Sequence, residues 1–138
     1  MFIHHTIFSR RTVLEMLQYH GIVLDKSIRD ESMIKRFKIL GSRHSSTNPW
    51  IMYLVEVDAG NLDHETRVLQ KNMKPRFYAH FYRDSELRVV FPDKIFIANV
   101  NDKGSWHAFQ DYGLKLGIPK EQLECKPVKI EEEKDWLG

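Results

Sequence analysis

Cysteine is almost absent. Cys125 is the only one in 138 residues, so no internal disulfide can form, and a lone thiol suits a reducing cytoplasm, where it reads as a small packing residue rather than a nucleophile. Long hydrophobic runs are missing too. The most apolar stretches, 89–91 and 95–98, are strand-sized and separated by Asp93 and Lys94, far short of the roughly 18 residues of a membrane span. Residues 1–8 include His4, His5 and Thr6 and precede Arg10 and Arg11, so the apolar core of about 7–15 residues that a signal peptide needs never builds up. These absences lead us to expect a soluble, cytoplasmic chain with no membrane association. Charge of one sign is scarce as well: 21 Lys and Arg against 19 Asp and Glu leave a net +2, too little to draw in nucleic acid without local clustering.

Glycine is sparse and placed without a phosphate-binding pattern. The seven, at 21, 41, 60, 104, 113, 117 and 138, form neither a dinucleotide fingerprint nor a phosphate loop, and no serine sits in a nucleophile elbow. Paired cysteines are lacking. His64-Glu65 has no second histidine one turn on, since position 68 is Val68, and the adjacent His4 and His5 cannot share a helix or strand face. Asp84, Glu86 and Asp93 fall in turn segments, where Asp is locally favoured, rather than as a catalytic carboxylate pair. We therefore assign no catalytic residue, no metal and no cofactor from the sequence.

What is present suits one folded domain. A chain of this length can bury roughly two-thirds of the surface its extended form exposes, and 42% hydrophobic residues are enough to build that core. Residues 1–48 carry eight Lys and Arg against four Asp and Glu, whereas 49–138 carry thirteen against fifteen, and the change coincides with the polar run Gly41-Ser42-Arg43-His44-Ser45-Ser46-Thr47-Asn48-Pro49. We place a boundary there: an N-terminal helical extension over 1–48, an α+β domain over 49–130 and a solvated acidic tail over 131–138, with Trp136 and Leu137 in the tail. The spacing predicts a first helix over 9–20 closed by Gly21, and a second opened by Ser27 and Asp30, with Met33, Ile34, Phe37 and Leu40 on one face.

Beyond Pro49 the pattern reads as a strand over 51–57, a helix over 61–73, three strands over 76–83, 87–91 and 94–100, a helix over 106–116 closed by Gly117, a short turn of helix after Pro119, and a last strand over 125–130. This order predicts a two-layer α+β sandwich, an antiparallel sheet with helices on one face, ferredoxin-like or related, preceded by the two N-terminal helices.

Between 76 and 124 the chain carries Phe77-Tyr78-Ala79-His80-Phe81-Tyr82, Val89-Val90-Phe91, Asp93-Lys94, Trp106, Tyr112-Gly113, Leu116-Gly117-Ile118-Pro119 and Glu121-Gln122-Leu123. In these residues it resembles a group of small bacterial proteins to which no activity is assigned. The resemblance implies a bacterial, cytoplasmic origin and no particular chemistry.

The most informative segment is 76–83. Strand alternation puts Phe77, Ala79 and Phe81 on one face and Arg76, Tyr78, His80 and Tyr82 on the other. The first set is a core wall. The second combines rings with a group that titrates near neutrality, which fits either contact with a second copy or the floor of a ligand site. An RNA-recognition strand would need glycine where Phe77 stands, and a helix-turn-helix over 9–40 would have to tolerate the six residues 22–27 between its helices. The leading expectation is thus a non-catalytic binding domain that self-associates as a homo-oligomer through Tyr78, His80 and Tyr82. The alternatives are a small-ligand protein or small enzyme using His80, with Arg76, Tyr78 and Tyr82 lining the pocket, and nucleic-acid binding through the basic residues of 10–43.

Overall fold

The computed structural model describes residues 17–46 and 48–124. Within them six strands, β1 (Gln18–Leu24), β2 (Lys38–His44), β3 (Ile51–Asp58), β4 (Ala79–Arg83), β5 (Glu86–Val90) and β6 (Ile95–Asn99), form one antiparallel sheet in the order β2-β3-β1-β4-β5-β6. Helices α1 (Leu62–Asn72) and α2 (His107–Lys115) pack on it. The α+β class and the antiparallel sheet expected from the sequence are both present. No helix among the described residues is long and apolar enough to cross a membrane.

β1 lies near the middle of the sheet, between β3 and β4 and antiparallel to both, so β3 and β4 run parallel to each other and α1 joins them across β1. This is a split β-α-β unit. From β4 the chain continues as a meander: Arg83 pairs with Glu86 across a turn in which Asp84 takes a left-handed φ of 53°, and Phe91 N–H donates to the Lys94 carbonyl at 2.8 Å at the next turn. Because β6 follows β5 directly, with α2 only afterwards, the ferredoxin-like alternation of two β-α-β halves is present in its first half alone.

Two cores flank the sheet. Tyr19, Val23, Val55, Ala79, Phe81 and Val90 close on Leu62 and Leu69 of α1, whereas Leu87, Val89, Phe91 and Ala98 close on Trp106, Phe109 and Leu123. Alternation along β5 sends Leu87 and Val89 to the opposite side from Val90, so α1 and α2 cover opposite faces and not the single face expected. The reason is that β5 is apolar on both sides, and a sheet several times wider than one helix cannot bury both faces with helices stacked on one.

The second expected N-terminal helix and the end of the first are replaced. Residues 18–24 are β1, and 31–36 form only a short 3₁₀ turn, capped by Asp30 through Ser32 N–H at 3.1 Å, before the chain becomes β2. Residues 9–16 of the first expected helix lie outside the described residues, as do Cys125, the expected strand over 125–130 and the acidic tail. Met33, Ile34 and Phe37 are buried as expected, but beneath α1's face of the sheet. Gly21 is a strand residue rather than a helix end. A Cβ there would stand 2.4 Å from Phe81 Cδ1 and 2.7 Å from the His80 carbonyl, so the absent side chain is what lets β4 approach with Phe81 in place. Since β1 and β2 both pair with β3, the chain before the boundary expected near Thr47 contributes two strands to the same sheet as the chain after it, and that boundary falls in the β2–β3 connection.

Candidate ligand cleft

β4 alternates as its sequence requires. Ala79 and Phe81 face α1, and His80 and Tyr82 face the other side. On that side His80 lies opposite Ile22 of β1, and two residues along, Leu24 of β1 lies opposite Met52 of β3. These four side chains line a cleft of about 570 Å³, within the size range of small-ligand sites. Trp50 and Phe77 form a wall, edge to face at 5.5 Å between ring centroids. Tyr78, packed on Phe91 at 5.7 Å, donates its hydroxyl hydrogen to the Gln122 carbonyl and so fixes the far wall, where the turn Lys120–Leu123 is held down by buried Leu123. The exposed lining, which forms the mouth, carries Arg43, His44, Arg76, Glu121 and Glu124.

His80 is the anomaly of the cleft. It is 8% exposed, and its Nε2 is buried with no hydrogen-bond partner among the described residues. An unpaired buried polar atom costs about 1–3 kcal/mol, and native structures rarely keep one without a use. Burial also pushes the imidazole pKa down from 6.5 to about 4, so the ring is neutral at pH 7. No carboxylate or hydroxyl of the described residues hydrogen-bonds it. Its ring neighbour is Tyr82, at 6.1 Å and 32°. A neutral, unassisted imidazole with so low a pKa is a poor general base at neutrality but a sound hydrogen-bonding group.

Arg76 sits at the mouth in a left-handed conformation, φ 67°, with its side chain against Gly117, whose own φ of 90° ends α2 as the sequence suggested. Of the four residues expected to share a site, Arg76, Tyr78 and His80 meet in the cleft. Tyr82 does not line it: at 4% exposure it packs beside His20, whose Nε2 lies 3.0 Å from Glu56 Oε2. Tyr82 and His80 are thus both buried within the chain. Sequence reasoning missed Ile22, Leu24, Met52 and Trp50 as floor and wall. Trp50 beside Pro49, an indole at the end of a polar run, was the available signal.

Among the described residues no three His, Cys, Asp or Glu side chains converge as metal ligands. A second, smaller cleft of about 250 Å³ has both its cations paired, Arg36 to Glu65 at 3.1 Å and Lys38 to Glu56 at 3.4 Å, with Asp58 as a further lining carboxylate, and shows no comparable unsatisfied group among the described residues. No protein-family model, curated protein or solved structure matches the chain.

Proposed function

We propose that the protein is a non-catalytic binding domain that holds a small molecule in the cleft floored by β1, β3 and β4. The observation that carries this reading is the unpartnered Nε2 of His80 beside an apolar recess large enough for a ligand. Binding is favoured over catalysis because the imidazole has neither a nucleophile to activate nor a carboxylate to orient it among the described residues, and catalysis by histidine ordinarily uses such company. A native mass spectrum of freshly purified protein tests the reading. A retained small molecule that is lost from His80→Ala, with the melting midpoint little changed, is the expected result. Protein that carries no extra mass, and whose melting shifts with no member of a fragment library, would remove the cleft as a binding site.

A further inference from the structure

Resting on that reading, the geometry points to the class of ligand: we infer that the cleft takes a flat, apolar ring system whose buried end bears one uncharged hydrogen-bonding group, such as a hydroxyl or ring N–H, and not an anion. The recess narrows this choice from three sides. Its floor and walls, Ile22, Leu24, Met52, Trp50 and Phe77, are apolar or aromatic, which favours a planar hydrocarbon body over a sugar or a phosphate. His80, which lines the recess, is more than nine-tenths buried and its Nε2 is closed from solvent and unsatisfied, and a neutral imidazole pairs well with a neutral donor or acceptor. An ionised carboxylate beside the His80 ring would lose its hydration, and the cations that line the cleft among the described residues, Arg43 and Arg76, are exposed rather than buried with that ring. Among the described residues the two arginines are matched in number by Glu121 and Glu124, with His44 beside them, so the ionised lining has no excess of one sign.

A half-turn of the imidazole about χ2 exchanges its two edges at nearly constant shape, so the ring can turn a nitrogen toward an arriving group without repacking β4. Filling the recess then supplies the hydrogen bond that the folded chain leaves unmade. The gain is specific to a ligand carrying the matching group.

Three probes that share one bicyclic ring separate the possibilities: naphthalene, 2-naphthol and 2-naphthoate, titrated into the full chain at pH 7 and followed by ¹⁵N-resolved backbone shifts and imidazole nitrogen shifts. The expected result is that 2-naphthol binds about tenfold more tightly than naphthalene, 2-naphthoate binds no better than naphthalene, and only 2-naphthol moves the His80 nitrogen resonance. In His80→Phe, which keeps a ring, the hydroxyl preference falls to about onefold while naphthalene still binds. His80→Gln, which keeps a polar group, retains part of the preference and guards against a variant that fails to fold. Equal binding of naphthol and naphthalene by the native chain overturns the inference while leaving the cleft a ligand site. Tightest binding by 2-naphthoate overturns it in favour of an anion site. Binding of none of the three also overturns the inference, and the cleft reading then stands or falls on the retained mass and the fragment library.

Discussion

Phe81 and His80 are neighbours on β4, both inside the molecule, and they are served in opposite ways. Phe81 is fully buried among Phe37, Val55 and Leu69 on the α1 side, where the nearby polar groups are matched: the Tyr19 hydroxyl donates to Glu86 at 2.9 Å, and Arg88 reaches Asp63 of α1 at 3.0 Å. His80, one residue earlier, meets a recess and keeps an unmade hydrogen bond. Both sides of the sheet have a core, but on β4 the α1 side is packed to completion while the other side, at His80, holds back some stability. The contrast lies within a single strand, so differences in backbone, solvent or chain position cannot account for it. What differs is the company each face was given.

That comparison breaks most visibly at Phe81. Phe81→Ala empties a fully buried ring site and is expected to lower unfolding free energy by about 3–5 kcal/mol in urea titration. Gly21→Ala should cost a comparable amount, because the added carbon meets the His80 carbonyl at 2.7 Å and backbone yields less readily than a side chain. If Phe81→Ala were as mild as a surface change, the α1 side would not be the stabilising core described.

Acid is the next lever. A histidine held neutral in the fold but free to take a proton when unfolded makes the unfolded state bind more protons between its folded pKa of about 4 and its ordinary 6.5. Stability therefore rises with pH across that window and is lost on acidification through it, by on the order of 3 kcal/mol for the whole interval. The groups around the ring are Ile22 and Val89 across its two strand pairs and Tyr82 along the strand, with Arg43, His44, Arg76, Glu121 and Glu124 lining the same cleft. Unfolding measured at pH 7 and pH 5 in the native chain and in His80→Phe isolates the effect. The variant should lose most of the slope, and an equal slope in both would assign it to other groups.

At pH 7 the same variant has a smaller effect of opposite sign to Phe81→Ala. Replacing an unpaired imidazole with an apolar ring removes an unsatisfied atom, so stability should hold or rise by about 1 kcal/mol. A loss of several kcal/mol would mean that His80 has a structural partner and that the two faces are alike.

How much of this was legible depends on where the periodicity is clean. The strand bearing Ala79 and Phe81 against His80 and Tyr82 alternates without interruption, and both described helices show spaced apolar residues with a plain stop, Gly117 for the second, so these elements and three of the four expected site residues could be placed. β1 could not. It is buried on both sides, so its apolar residues run together, and Gly21 in its middle has the look of a helix end. β2 was hidden for the opposite reason: an exposed edge strand containing Gly41, Ser42 and Arg43, with a shift of register between Ile39 and Gly41, has no buried face to impose alternation and resembles a linker. Half the cleft went unseen with those two strands. Its floor needs Ile22 and Leu24, and its mouth needs Arg43.

Arg76 gives the finest test of the contrast between the faces, with the smallest expected effect. A non-glycine residue at φ 67° is strained by about 1 kcal/mol, a cost that glycine escapes on folding but partly returns through a freer unfolded chain. Arg76→Gly is thus expected to raise stability by about 0.5 kcal/mol, measurable as a small upward shift of the urea midpoint. Its guanidinium has no ion pair among the described residues, so no lost bridge opposes the gain. A rise in stability together with weaker binding of 2-naphthol would support a mouth that gives up stability for binding, as proposed for His80. A fall in stability would instead make the packing of Arg76 on Gly117 part of how α2 is held, placing that residue on the stabilising side of the ledger.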